Sequence, residues 1–199
     1  MKAGKFIVIL LLAASAAYAQ HLSVGIDAGV PFTGGLSDFT SPDGAYRTFS
    51  NSKEYIFGPM VEVRLPLSLA IEVDALYRPI NATTDILAAA VRLTGPAETS
   101  NNVSTWEFPV LGKYRFAFPI VKPFIEAGPS FRATGSGLGW FSNHGFTMGG
   151  GIELKVLRLR IAPAIRYTHW GSDTPPPINA SFFAPSSQNQ GEFLVGLSF

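Results

Sequence analysis

Near the C-terminal end of the chain, His169, Ser172 and Asp173 fall within five positions. A serine hydroxyl activated by an imidazole that an acid orients is a nucleophile, so this trio carries the chemistry of an ester or lipid hydrolase. Three such residue types so close together are common, however, and a triad needs tertiary geometry; Thr168, His169 and Trp170 read first as the end of a strand. Of the other two histidines, His21 stands near the start of the mature chain and His144 in a short loop without the partners a metal ion needs. There is no cysteine, which excludes disulfides, thiolate nucleophiles and thiolate metal sites. Gly149-Gly150-Gly151 lies inside a strand pattern with no helix after it, so it is not a phosphate cradle. No catalytic residue, metal or cofactor is assigned from these groups.

The more informative ionisable residues are those that share one parity of the numbering. A β-strand sends alternate side chains to opposite faces. Eight segments, 22–30, 55–65, 69–78, 106–116, 121–131, 146–155, 159–167 and 192–199, keep one row almost wholly apolar. The opposite rows collect Asp27, Glu62, Glu72, Asp74, Glu107, Glu126, Glu153 and Glu192 together with Arg64, Arg78, Lys113, Arg115, Lys122, Lys155, Arg160 and Arg166. Acids and bases are equal in number, and this favours an ion-pair lattice over a pair of catalytic carboxylates or a proton path. Eight amphipathic strands predict an all-β, eight-stranded, antiparallel up-and-down barrel.

Alternation alone allows two opposite solutions: a soluble carrier with its apolar rows inside, or a membrane barrel with them outside. Four features favour the second. The connections near 66–68, 117–120 and 156–158 are tight, whereas those at 31–54, 79–104, 132–145 and 170–190 are long, the transmembrane pattern of short periplasmic turns and long extracellular loops. Aromatic residues of the apolar rows gather at strand ends, with Tyr55, Tyr77, Trp106 and Tyr167 at the long-loop rim and Tyr114, Phe116 and Phe199 at the other. The polar rows interleave their charges with Gly and Ala, as a narrow bore requires. A charge on the lipid face costs about 2–4 kcal/mol at the midplane, so the sixteen charges belong inside. Cross-strand geometry then predicts that Glu153 lies opposite or diagonal to Arg160 and that Arg64 reaches Glu72.

The 15 Lys and Arg nearly balance the 14 Asp and Glu over 199 residues, so nucleic acid is not an expected partner. Lys2 and Lys5 precede the apolar run from Phe6 to Ala14, and Ala17-Tyr18-Ala19 has the form of a cleavage site. Residues 1–19 are therefore expected to be a signal peptide, and 20–199 the barrel.

Several stretches resemble the small outer-membrane β-barrel proteins of diderm bacteria, the OmpA- and OmpX-like barrels. They are Trp106-Glu107-Phe108-Pro109-Val110-Leu111-Gly112-Lys113-Tyr114, Pro123-Phe124-Ile125-Glu126-Ala127-Gly128-Pro129, Gly149-Gly150-Gly151-Ile152-Glu153, Arg166-Tyr167-Thr168-His169-Trp170 and the terminal Phe199. The resemblance implies an outer-membrane location and contact with outer-membrane lipids. It also implies that Val195, Leu197 and Phe199 are read by the outer-membrane insertion machinery. The expected role is that of a non-enzymatic monomer with a charge-filled lumen, structural or binding an extracellular ligand through its loops. A narrow pore for small or hydrophobic solutes is the second reading, and an outer-membrane lipid hydrolase built on His169 the third.

Overall fold

The computed structural model describes residues 22–41, 46–50, 55–86, 98–135, 139–174 and 185–199. The expected leader over 1–19 and His21 lie outside the described residues. Eleven strands follow in order: β1 (Leu22–Pro31), β2 (Phe39–Thr40), β3 (Tyr46–Ser50), β4 (Ile56–Arg64), β5 (Leu69–Asp74), β6 (Leu76–Ile86), β7 (Glu98–Arg115), β8 (Val121–Thr134), β9 (His144–Val156), β10 (Leu159–Trp170) and β11 (Asn189–Ser198).

Every neighbouring pair is antiparallel, and β1 pairs with β4 on one side and β11 on the other, which closes the sheet into a barrel. Closure removes the unpaired edges that a bilayer could not satisfy. Strands β5 and β6 are one wall strand broken at Ala75. The cause is Pro59 in the facing strand: its carbonyl accepts from the Ala75 amide at 3.0 Å, but proline has no N–H to return. The register runs on unchanged past the break, from Met60 opposite Asp74 to Phe57 opposite Tyr77. Counted this way the wall has the eight strands expected.

The apolar rows point outward. Val61, Ile71, Phe108 and Ile152 retain 42, 44, 37 and 40 % of their exposure, whereas Glu62, Asp74 and Arg166 retain 2, 1 and 2 %. A soluble protein of this size would have these proportions reversed. The surface is therefore built for lipid, as in a transmembrane barrel. Aromatic side chains pack along it from strand to strand: Tyr55 stacks on Phe57, which meets Tyr77 edge-on, and Tyr77 meets Trp106. This run lies near the end of the barrel away from the chain termini.

At the terminal end the links are short, 65–68, 116–120 and 157–158. Two of these turns hold residues in the left-handed region, Leu67 (φ 64°) and Ser68 (φ 63°) in one and Leu157 (φ 58°) in the other. Glycine or asparagine is the ordinary occupant there, because a Cβ crowds the following carbonyl.

At the opposite end the structure corrects the expectation of loops over 31–54 and 79–104. Strands β6 and β7 continue as a paired ribbon, from Pro79 opposite Ser104 to Asp85 opposite Glu98, and β3 pairs with β6 from Tyr46 opposite Ile86 to Ser50 opposite Ala82. The sequence signal was missing because Asn81-Ala82-Thr83-Thr84 and Thr99-Ser100-Asn101-Asn102 are polar on both parities. Beside this ribbon Leu36, Ile80 and Phe141 form a small buried cluster with Phe39 and Trp140 packed on it. The segment 32–38 is tied to 185–187 by the Ser37 amide to Pro185 carbonyl (3.0 Å) and the Ser187 amide to Gly35 carbonyl (3.0 Å).

Ile165, midway along β10 and 58 % exposed, offers a direct test of which face meets lipid. Ile165→Lys is expected to lower the folding free energy in phospholipid bilayers by about 2–4 kcal/mol, read by denaturant titration, while Ile165→Leu leaves it near wild type.

Candidate functional site

The bore holds the ionisable side chains in tiers along its length. In the middle, Arg166 on β10 donates from Nε to Glu126 Oε1, from Nη1 to Asp74 Oδ2 and from Nη2 to Glu72 Oε1, each at 2.6 Å. Asp27 Oδ2 lies 3.8 Å from Nη2. Strand β5, which supplies Glu72 and Asp74, is four places from β10 around the ring and so directly across the bore. The backbone leaves room for this: a Cβ on Gly149, the residue paired with Arg166, would collide with the Ile165 carbonyl and crowd Arg166 Cγ and Glu126 Oε1. Lys113 on β7 completes the tier, bonded to Glu72 and lying 3.1 Å from Glu126 Oε2, with its ammonium 4.4 Å from the centre of the Phe124 ring.

Towards the short turns, Arg115 bonds Glu62 and places Nε 2.8 Å from Glu153 Oε2. Arg64 Nε donates to Glu62 Oε1 at 2.9 Å, and its Nη2 lies 3.5 Å from Glu153 Oε2. Towards the long connections, Arg78 places Nη2 2.5 Å from Glu192 Oε2 and Nε 3.1 Å from Glu107 Oε1. Above this tier Arg132 donates from Nε (3.0 Å) and Nη2 (2.8 Å) to the Ser142 carbonyl. Its guanidinium lies between the rings of Phe141 (4.9 Å) and Trp170 (4.4 Å), a cation–π arrangement, and Trp170 Nε1 donates to Gln190 Oε1 at 2.9 Å.

One expected contact is corrected. Arg64 is bonded to Glu62 and Glu153 rather than to Glu72, because Glu72 faces the middle tier and is taken by Lys113 and Arg166. Arg160 sits opposite Lys155 and so diagonal to Glu153, as expected; its Nη1 donates to Ser23 Oγ at 3.1 Å, and Glu153 is ion-paired with Arg115. Lys122 and Lys155, expected inside, are exposed at the mouth, where the strand ends leave the bore. Arg132 was overlooked, although it continues the parity of Lys122, Phe124, Glu126 and Ser130 one step past the segment's assumed end.

The hydrolytic trio is not assembled. His169 Nδ1 lies 2.8 Å from Asn189 Oδ1, Ser172 is exposed, and the Asp173 carboxylate accepts from the amides of Ser142 (3.0 Å) and Ser186 (2.6 Å) and from Ser186 Oγ (2.8 Å). Asp173 thus ties two connections together. His144, first residue of β9, is exposed. Oxygens of Asp27, Glu72 and Asp74 lie within 4.8 Å of one another, a spread that suits a cation, and Arg166 is the cation they share. At the end of the chain the Phe199 amide donates to the Val24 carbonyl at 3.1 Å and the ring is 70 % exposed, with Val195 and Leu197 on the same outward row.

No protein-family profile matches the chain, and no characterised protein matches it by sequence. Among solved structures it is similar to Neisserial surface protein A of Neisseria, with a TM-score of 0.50 and 15 % identity over 89 % of this chain and 95 % of the other. It is also similar to the outer membrane protein OprG from Pseudomonas aeruginosa, with a TM-score of 0.53 and 12 % identity over 89 % and 92 %. The fold is that of the small outer-membrane β-barrels.

Removing one partner from a buried ionic cluster strands the rest, at a cost of about 3–5 kcal/mol. Arg166→Met is expected to lose stability on that scale in denaturant titrations of the folded barrel. Asp74→Asn added to Arg166→Met is expected to recover part of the loss, since one fewer carboxylate is left without a counter-charge.

Proposed function

We propose that this protein is a non-enzymatic, monomeric outer-membrane barrel, closed along its bore by its own charges, that presents its long connections as an extracellular binding or structural surface. The observation that carries the reading is Arg166, which leaves β10 and bonds Glu72 and Asp74 on the opposite wall. A side chain tied across the full width of a narrow bore obstructs it at mid-height. The Arg78 and Arg115 tiers repeat the obstruction above and below.

The orientation follows from the short turns and both strand-forming termini sharing one end, which we assign to the periplasm. Phe199, Leu197 and Val195 then lie where the insertion machinery would meet a newly arrived chain. The non-enzymatic reading is supported by the engagement of His169 with Asn189 and of Asp173 with Ser142 and Ser186. Outside, the ribbon of β6 and β7 and the Asp173-tied connections form an ordered platform, the usual place for recognition on a rigid scaffold. Its partner would be of extracellular origin.

Conductance decides between this reading and a narrow pore. In planar bilayers, barrel whose folding has been verified by heat-dependent gel mobility is expected to give no unitary current steps. Reproducible steps from the wild-type protein would overturn the closed bore and favour a channel for small solutes.

A further inference from the structure

The short-turn end breaks two rules of ordinary protein surfaces at once. Its turn tips are greasy: Leu67, Ile120 and Leu157 are 85, 82 and 92 % exposed, and Phe118 is 55 % exposed. Leu67 and Leu157 are moreover held at φ 64° and 58°, where glycine or asparagine is usual. Large apolar side chains in strained, fully exposed positions are unfavourable in water, and such departures from local preference cluster at functional surfaces.

The same end is unbalanced in charge. Among the described residues six basic side chains, Arg64, Arg115, Lys122, Lys155, Arg158 and Arg160, stand there against two acidic ones, Glu62 and Glu153. Arg160 and Lys155 are direct cross-strand partners, a like-charge pairing that disfavours the sheet. The buried Arg160 Nε has no hydrogen-bond acceptor among the described residues. Between the turns opens a cleft of about 460 Å³, with Arg64, Arg115, Lys122 and Glu153 on its polar side and Phe116, Phe118 and Leu69 on its apolar side. Arg64 and Arg115 share the carboxylates of Glu62 and Glu153, so with Lys122 the group keeps a surplus of positive charge for an incoming anion.

We propose that this end is a binding surface for anionic phospholipid of the membrane leaflet it faces, with a headgroup phosphate in the Arg64–Arg115–Lys122 cleft and the turn tips among the acyl chains. Lys155 and Arg158 lie at the same level and add to the attraction for the charged layer. Apolar tips and a ring of bases at one height suit the boundary between hydrocarbon and headgroups, where each group finds its own solvent. Apolar tips also suit a protein dock, but here they stand on three separate turns that lead directly into the lipid-facing rows, where lipid covers all of them without a matching partner surface. The inference rests on the reading of this chain as a membrane-spanning barrel.

The test uses the mature chain inserted into vesicles of phosphatidylcholine alone or with phosphatidylglycerol, with flotation and protease resistance establishing insertion independently. A failure to insert appears in those controls and overturns the barrel reading and this one together. In inserted protein, an environment-sensitive dye on Leu157→Cys, and separately on Leu67→Cys, is expected to be quenched by lipid carrying a spin label near the headgroup and protected from aqueous iodide. Lipid retained after mild detergent extraction is expected to be enriched several-fold in phosphatidylglycerol. The triple variant Lys122→Gln, Lys155→Gln, Arg158→Gln, all exposed positions, should bring that enrichment close to one while the barrel still inserts. Dyes open to iodide would overturn the proposal and mark the end as a dock for a periplasmic protein. Equal recovery of the two lipids by the wild-type protein would overturn it as well.

Discussion

Arg166 is the contact on which the interior depends. Among the described residues its guanidinium is the one group that engages carboxylates of the first strand, of the wall directly opposite and of β8 together. Those acids stand close enough to repel one another strongly in a medium of low polarity. A buried ion pair gains little net stability over a well-packed apolar pair, since desolvation offsets most of the attraction. The lattice is therefore best understood as a consequence of the membrane. Lipid outside drives the charges of the wall inward, and there Arg78, Lys113, Arg115 and Arg166 meet carboxylates, while Arg132 is met by the Ser142 carbonyl.

That necessity shapes the wall as well. Gly149 stands opposite Arg166 because a longer side chain would occupy the space the guanidinium crosses. Phe124 lies beneath the Lys113 ammonium, adding a polarisable face to the carboxylates of Glu72, Glu126 and Glu62 around it. Near the mouth away from the chain termini the ionic pattern gives way to packing: Arg132 against the rings of Phe141 and Trp170, and the cluster of Leu36, Ile80 and Phe141. The bore changes from salt lattice to apolar cap as it leaves the membrane, and Asp173 ties two of the outer connections together there.

Much of this was legible in the residue order, and for one reason. Where one face meets lipid and the other meets charge, the period of two is enforced at every position, so the eight wall segments and their inward rows declare themselves. The pairing within the bore was not legible. Arg64 was expected to reach Glu72 because they are diagonal across one hairpin, yet in a tube eight strands round the shortest path for Arg166 runs straight through the middle. Cross-bore contacts have no signature in local spacing. The ribbon of β6 and β7 was also invisible, because Asn81-Ala82-Thr83-Thr84 and Thr99-Ser100-Asn101-Asn102 carry no apolar alternation. Arg132 could have been found by following the parity of β8 one step further.

The claim beneath the whole account is that the two rows of each wall strand face different solvents. The chain lacks cysteine, so a single cysteine can be placed in turn at each position from 124 to 131 of β8 and spin-labelled in lipid bilayers. Accessibility to lipid-dissolved oxygen should be high at Ile125, Ala127, Pro129 and Phe131 and low at Phe124, Glu126, Gly128 and Ser130. The reverse pattern, with labels at 124, 126, 128 and 130 open to a water-soluble relaxant and those at 125, 127, 129 and 131 shielded from both, would show a barrel with its apolar rows inside and contradict the account.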